Sequence, residues 1–111
     1  MEIERKFIIH TPPADLEECP CRHIEQAYIS RDPVIRVRRS DDRYILTVKG
    51  RGLVAREEFE LELSEESYAK LIKKAEGNII RKTRYLIPFG SYTIETDVFK
   101  EPFDDLILAE V

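Results

Sequence analysis

The chain reads as mainly β, with strands in an antiparallel series and a helix outside them, consistent with a barrel or a strongly curved sheet. Three observations predict this. Short runs alternate apolar and charged residues with a period of two, as half-buried strands do. Proline, glycine and aspartate clusters interrupt those runs. Only one stretch, after Ser64, carries apolar residues at helical spacing.

In order, residues 2–9 form the first strand, ended by Thr11-Pro12-Pro13 because proline lacks a ladder donor. Residues 14–22 are a polar connector with room for one helical turn. Residues 23–30 and 34–40 are strands joined at Asp32-Pro33. Residues 44–49 follow a short hairpin loop at Asp41-Asp42 and are rich in side chains that suit the pleat. Gly50-Arg51-Gly52 is a loop, and residues 56–63 form a fifth strand. Ser64 is placed to cap a helix, with Glu65 and Glu66 suited to its dipole. Tyr68, Leu71, Ile72 and Ala75 mark its buried face, and Gly77-Asn78 ends it. Residues 79–87 and 92–99 are strands separated by Pro88-Phe89-Gly90-Ser91, and residues 106–111 are a last apolar strand. Val111 falls inside that strand pattern, so the domain is expected to be incomplete at its C-terminal end.

At 111 residues and 13.0 kDa, residues 1–111 make a single domain with a modest core. No apolar run approaches the roughly 18–20 residues that span a bilayer, and no signal peptide is visible, so the expected location is cytoplasmic. The net charge of -4 argues against nucleic acid or anionic membrane as a partner. Cys19 and Cys21 flank Pro20, too close for an ordinary disulfide framework and too few for structural zinc. They read as free thiols in a loop.

The charged positions have their own pattern. Glu2, Glu4 and Lys6 share a face of the first strand. Arg36 and Arg38 share one, opposite Ile35 and Val37. Thr47 and Lys49 oppose Leu46 and Val48. Glu58, Glu60 and Glu62 oppose Phe59, Leu61 and Leu63. Lys82 and Arg84 oppose Thr83 and Tyr85, and Glu95 and Asp97 oppose Ile94, Thr96 and Val98. One such strand is an ordinary solvated face. Same-sign doublets repeated along the chain are different, because like charges side by side oppose folding unless partners or a ligand offset them. Closing the sheet would gather acids and bases in one lumen, which a polyanion and a divalent cation would satisfy. Arg5 and Arg39 fall on the opposite face as surface charges. Glu62 is expected in solvent at a strand end, and Tyr28 and Tyr85 in packing.

Glu2-x-Glu4-x-Lys6 resembles the signature of the CYTH, or triphosphate tunnel metalloenzyme, superfamily. The resemblance continues in order through Gln26-Ala-Tyr28, Val34-Ile-Arg36-Val-Arg38, Leu46-Thr-Val-Lys49-Gly50, Arg56-Glu-Glu58-Phe-Glu60, Lys82-Thr-Arg84-Tyr85, Glu95-Thr-Asp97-Val-Phe99 and Ala109-Glu110-Val111. It is nearest to the small bacterial members. It implies an eight-stranded antiparallel tunnel with at least one outer helix, binding a triphosphate with Mg2+ or Mn2+. Such proteins usually carry a second acid beyond Val111, which this chain does not contain.

On that resemblance, Lys6, Arg36, Arg38, Lys49, Lys82 and Arg84 are the triphosphate-binding and catalytic cations. Glu2, Glu4, Glu58, Glu60 and Glu110 are the metal ligands, and Glu95 and Asp97 either join them or orient a basic neighbour. All these ligands are oxygens, which suits Mg2+ or Mn2+. The expected activity is hydrolysis of inorganic tripolyphosphate or an organic triphosphate by direct water attack. The alternatives are a class IV-type adenylyl cyclase, and a polyphosphate- or nucleotide-binding module with little turnover. A short chain with uncovered outer strands could also pair with a second copy.

Overall fold

Among the described residues, eight strands hydrogen-bond in the order β1-β8-β7-β6-β2-β3-β4-β5, every registered pair antiparallel, with one α-helix. This is a computed structural model, and it describes residues 5–50, 58–104 and 106–111. The strands are β1 (Lys6–Ile8), β2 (Cys21–Arg31), β3 (Val34–Ser40), β4 (Arg43–Lys49), β5 (Glu58–Glu62), β6 (Ile80–Phe89), β7 (Tyr92–Phe99) and β8 (Ile107–Glu110), and α1 is Glu65–Ile72. The mainly β, antiparallel, one-helix expectation therefore holds. Among the described residues, no helix is long and apolar enough to cross a membrane.

The chain divides into two compact units. One comprises Met1–His23 and Arg81–Val111, and the other Ile24–Ile80, so that β2 runs through both. In the second unit, β2, β3, β4 and β5 form a meander. Arg31 pairs with Val34 and Ser40 with Arg43, so both hairpins turn on two residues. Asp41 takes a φ of 53°, a left-handed value that aspartate tolerates better than most residues. Between Tyr28 and Ser30 the β2–β3 register shifts by a bulge.

The helix covers the apolar side of this meander. Tyr68 is buried, its ring 5.1 Å from that of Tyr44, and its hydroxyl donates to Glu25 Oε1 at 2.8 Å. Glu25 and Tyr44 share a face with Ala27, Val37 and Leu46, and Ala27 and Val37 are nearly inaccessible. The N-cap is as expected: Ser64 Oγ accepts from Ser67 N–H at 3.0 Å. The helix ends earlier than the spacing predicts, at Ile72. Beyond it Lys74 and Ala75 donate three residues back, to Leu71 and Ile72, and Glu76 N–H donates to the Tyr28 carbonyl. That last bond draws the chain onto β2 before the predicted stop at Gly77-Asn78.

In the first unit, β1, β8, β7 and β6 pair in that order, and Leu86 N–H donates to the Pro20 carbonyl beside the start of β2. Two boundaries differ from the sequence reading by two residues. β6 continues through Pro88 and Phe89, because Phe89 pairs with Tyr92 and the turn needs only Gly90-Ser91. Gly90, at φ 62°, occupies the first turn position, where two-residue hairpins favour glycine. Cys21 is the first residue of β2 rather than part of a loop, since strand pairing begins earlier than His23. Both cysteines are free. The connector contains the single turn expected, a 3-10 helix at Leu16–Glu18 that buries Leu16.

Candidate functional site

Each unit presents one charged face, assembled by strand register. In the first unit, Lys6 on β1 lies opposite Glu110 on β8, which lies opposite Glu95 on β7. One row on, Asp97 lies opposite Arg84 of β6, and Lys82 lies opposite Phe99. Alternation along each strand puts all of these on the same side of the sheet.

Asp97 is the centre of this cluster and is almost completely buried. Arg84 donates to both of its oxygens, from Nε at 2.8 Å and from a terminal nitrogen at 3.1 Å. Lys82 Nζ reaches Asp97 at 2.8 Å and lies 5.3 Å from the centre of the Phe99 ring. The other Arg84 terminal nitrogen is 3.3 Å from Glu95. Burial alone would push the Asp97 carboxyl up. Hydrogen bonds from Arg84 and Lys82, together with their charges, hold it below the ordinary carboxylate range instead. The hydrogen bond to Asp97 raises Arg84 above its ordinary value. Burial opposes this, and the charges of Asp97, Glu95 and Glu110 reinforce it.

The second unit places Gln26, Arg38, Ile45 and Glu62 in one row, Tyr28, Arg36, Thr47 and Glu60 in the next, and Val34, Lys49 and Glu58 in a third. These rows lie on the side opposite Glu25 and Tyr44, and so opposite the helix. Arg38 Nε donates to the Gln26 amide oxygen Oε1 at 2.8 Å. Arg36 Nε is buried without a hydrogen-bond partner among the described residues, and so is Thr47 Oγ1.

Lys6, Glu110, Glu95, Asp97, Lys82 and Arg84 thus share one face, and Arg36, Arg38, Lys49, Glu58 and Glu60 share another. Glu2 and Glu4 lie outside the described residues. Glu62 is exposed and paired with Arg43 at 2.9 Å, as a strand-end charge should be. Arg5 is exposed, and Arg39 lies over the Tyr44 ring on the helix-side face. Tyr28 and Tyr85 are half-buried. Gln26 and Thr47 join the second face without having been singled out by their charge. The sequence signal that places them there is parity, since both fall in register with the Arg36 and Arg38 doublet.

The chain matches the CYTH domain family over residues 1–102. It belongs to that family. It is 34% identical to an inorganic triphosphatase of Nitrosomonas europaea, across 99% of this chain and 74% of that protein. It is 32% identical to an inorganic triphosphatase of Acetivibrio thermocellus, across 99% and 72%. A crystal structure of an inorganic triphosphatase superposes with a TM-score of 0.83 at 30% identity, covering all of this chain and 72% of that one. This CYTH chain is therefore shorter than the relatives it matches.

The donor chemistry of the first face suits a hard cation. Glu110 and Glu95 are carboxylates in directly opposed positions, an arrangement that like charges disfavour and a divalent ion would relieve. Among the described residues, no group of three His, Cys, Asp or Glu is close enough to hold a metal ion.

Proposed function

We propose that this chain hydrolyses a triphosphate, with inorganic tripolyphosphate as the first candidate. The observation that carries the reading is the pair of basic clusters on a fold whose relatives, matched across almost all of this chain, are inorganic triphosphatases. Lys6, Arg36, Arg38, Lys49, Lys82 and Arg84 bind the phosphates. Arginine suits this work because its planar fork presents paired N–H groups to two oxygens at once. Asp97 holds Lys82 and Arg84 in place before substrate arrives.

Glu2, Glu4, Glu58, Glu60 and Glu110, with Glu95, are the candidate ligands for Mg2+ or Mn2+. Bound metal would supply charge neutralisation on phosphate oxygens and a more acidic water. The chain's own cations bind and orient the phosphate chain and offset charge on the transferred phosphoryl group.

Phosphate release from tripolyphosphate with Mg2+ or Mn2+ tests this reading. Lys6→Ala and Arg38→Ala should each lower kcat/KM by about 100-fold or more, with circular dichroism unchanged. Wild-type turnover in both variants would sink the proposal. Cyclic AMP formed from ATP, or tight binding without turnover, would redirect it.

A further inference from the structure

Two buried polar atoms on the second charged face lack hydrogen bonds among the described residues, and they belong to neighbours. Arg36 Nε and Thr47 Oγ1 sit on directly opposed residues of β3 and β4. Their side chains leave the sheet on the same side, with Cβ atoms about 5 Å apart. Thr47 is only 1% exposed. Buried polar groups are rarely left unpaired, and two on adjacent residues need a reason. Packing does not supply one, because valine has the same shape, fits a strand equally well and carries no orphan hydroxyl. Each atom is what the other lacks: Nε–H is a donor, and the hydroxyl oxygen can accept.

Building on the triphosphatase reading, we infer that Thr47 is a positioning residue for Arg36. In the loaded state the guanidinium turns until Nε–H donates to Thr47 Oγ1. The two terminal nitrogens then point together at phosphate oxygens, the bidentate arrangement arginine is built for. The ligand-free arrangement leaves both atoms unpaired and the loaded one pairs them, so phosphate binding and the cross-strand bond favour one another. Gln26 already does for Arg38, in the ligand-free state, what Thr47 does for Arg36 only when phosphate is present.

The test compares Thr47→Val, which keeps shape and removes the hydroxyl, with Thr47→Ser, which keeps the hydroxyl. Steady-state hydrolysis of tripolyphosphate with Mg2+ is measured together with the NMR signal of the Arg36 Nε–H. Thr47→Val should raise KM about tenfold, the size of one hydrogen bond to a charged group, with kcat changed far less. Its Tm should stay the same or rise, because an unpaired hydroxyl has gone. Thr47→Ser should return KM to within about threefold of wild type. On adding tripolyphosphate, the Arg36 Nε–H signal should move in the wild type and in Thr47→Ser but not in Thr47→Val. A wild-type KM in Thr47→Val, a serine variant as weak as the valine one, or the same signal shift in all three would overturn the inference. A wild type that neither binds nor hydrolyses tripolyphosphate removes the functional reading and this inference with it. A working wild type indifferent to Thr47→Val removes the inference alone.

Discussion

Two arginine-bearing faces of this molecule start from the same sequence device, a basic doublet at i and i+2, and meet different groups across the strands. On β6, Lys82 and Arg84 meet the Asp97 carboxylate, and Arg84 also meets Glu95. On β3, Arg38 meets the neutral Gln26 amide, and Arg36 keeps a buried Nε with no hydrogen-bond partner among the described residues. The first cluster is neutralised and positioned before any ligand arrives. The second draws part of its order from a neutral amide, which brings no charge of its own to the guanidinium it holds. Cations fixed in advance, by a carboxylate or by an amide, lower the ordering cost of binding a polyanion.

The largest expected effect breaks the first cluster. Asp97→Asn removes one charge from a buried triad and leaves Lys82 and Arg84 without their common counter-ion. Loss of one partner in a buried pair costs about 3 kcal/mol. Urea unfolding at neutral pH should show that loss, and a change below about 1 kcal/mol would mean that the triad is not what stabilises this face.

Acid should erase the same difference. The folded Asp97 carboxyl sits below its ordinary value. Its contribution is therefore complete above the unfolded carboxylate pKa of about 4 and is lost as pH falls through the lower folded value. The stability gap between wild type and Asp97→Asn should be constant from about pH 7 to 5 and shrink below about pH 4. A gap that widened on acidification would reverse the sign of the linkage.

Strand alternation makes both faces legible in the amino-acid order itself, because parity alone assigns a side of the sheet to Arg36, Arg38, Lys82, Arg84, Glu95 and Asp97. Parity cannot say which strands are neighbours. That Asp97 lies opposite Arg84, and Glu110 between Lys6 and Glu95, depends on the order β1-β8-β7-β6, which joins residues far apart in the chain. Whether Asp97 is a metal ligand or the orienter of a basic neighbour turns on that register. Polar neutral residues are the harder case. Gln26 and Thr47 carry no charge to mark them, and only the strand register shows that they lie opposite Arg38 and Arg36. The early end of α1 is hidden for a similar reason, since the bond from Glu76 to the Tyr28 carbonyl is a tertiary event that helical spacing does not encode.

The subtlest prediction converts the second face toward the first. Gln26→Glu keeps the length and hydrogen-bonding position of the side chain but turns the amide that meets Arg38 into a carboxylate, the kind of group that meets Arg84. The Arg38–Gln26 hydrogen bond is already charge-assisted through its donor, so a carboxylate acceptor adds only the attraction of opposite charges, and the folded protein should be as stable at neutral pH or slightly more so. Phosphate must then compete with an internal anion for Arg38, and the added negative charge repels it. Tripolyphosphate affinity, measured by titration calorimetry, should fall about fivefold, the equivalent of about 1 kcal/mol. Stability and binding thus move in opposite directions, which simple damage to the fold would not produce. If affinity instead held or rose while stability rose, the neutrality of Gln26 would have no bearing on anion binding, and the contrast between the two faces would be one of packing alone.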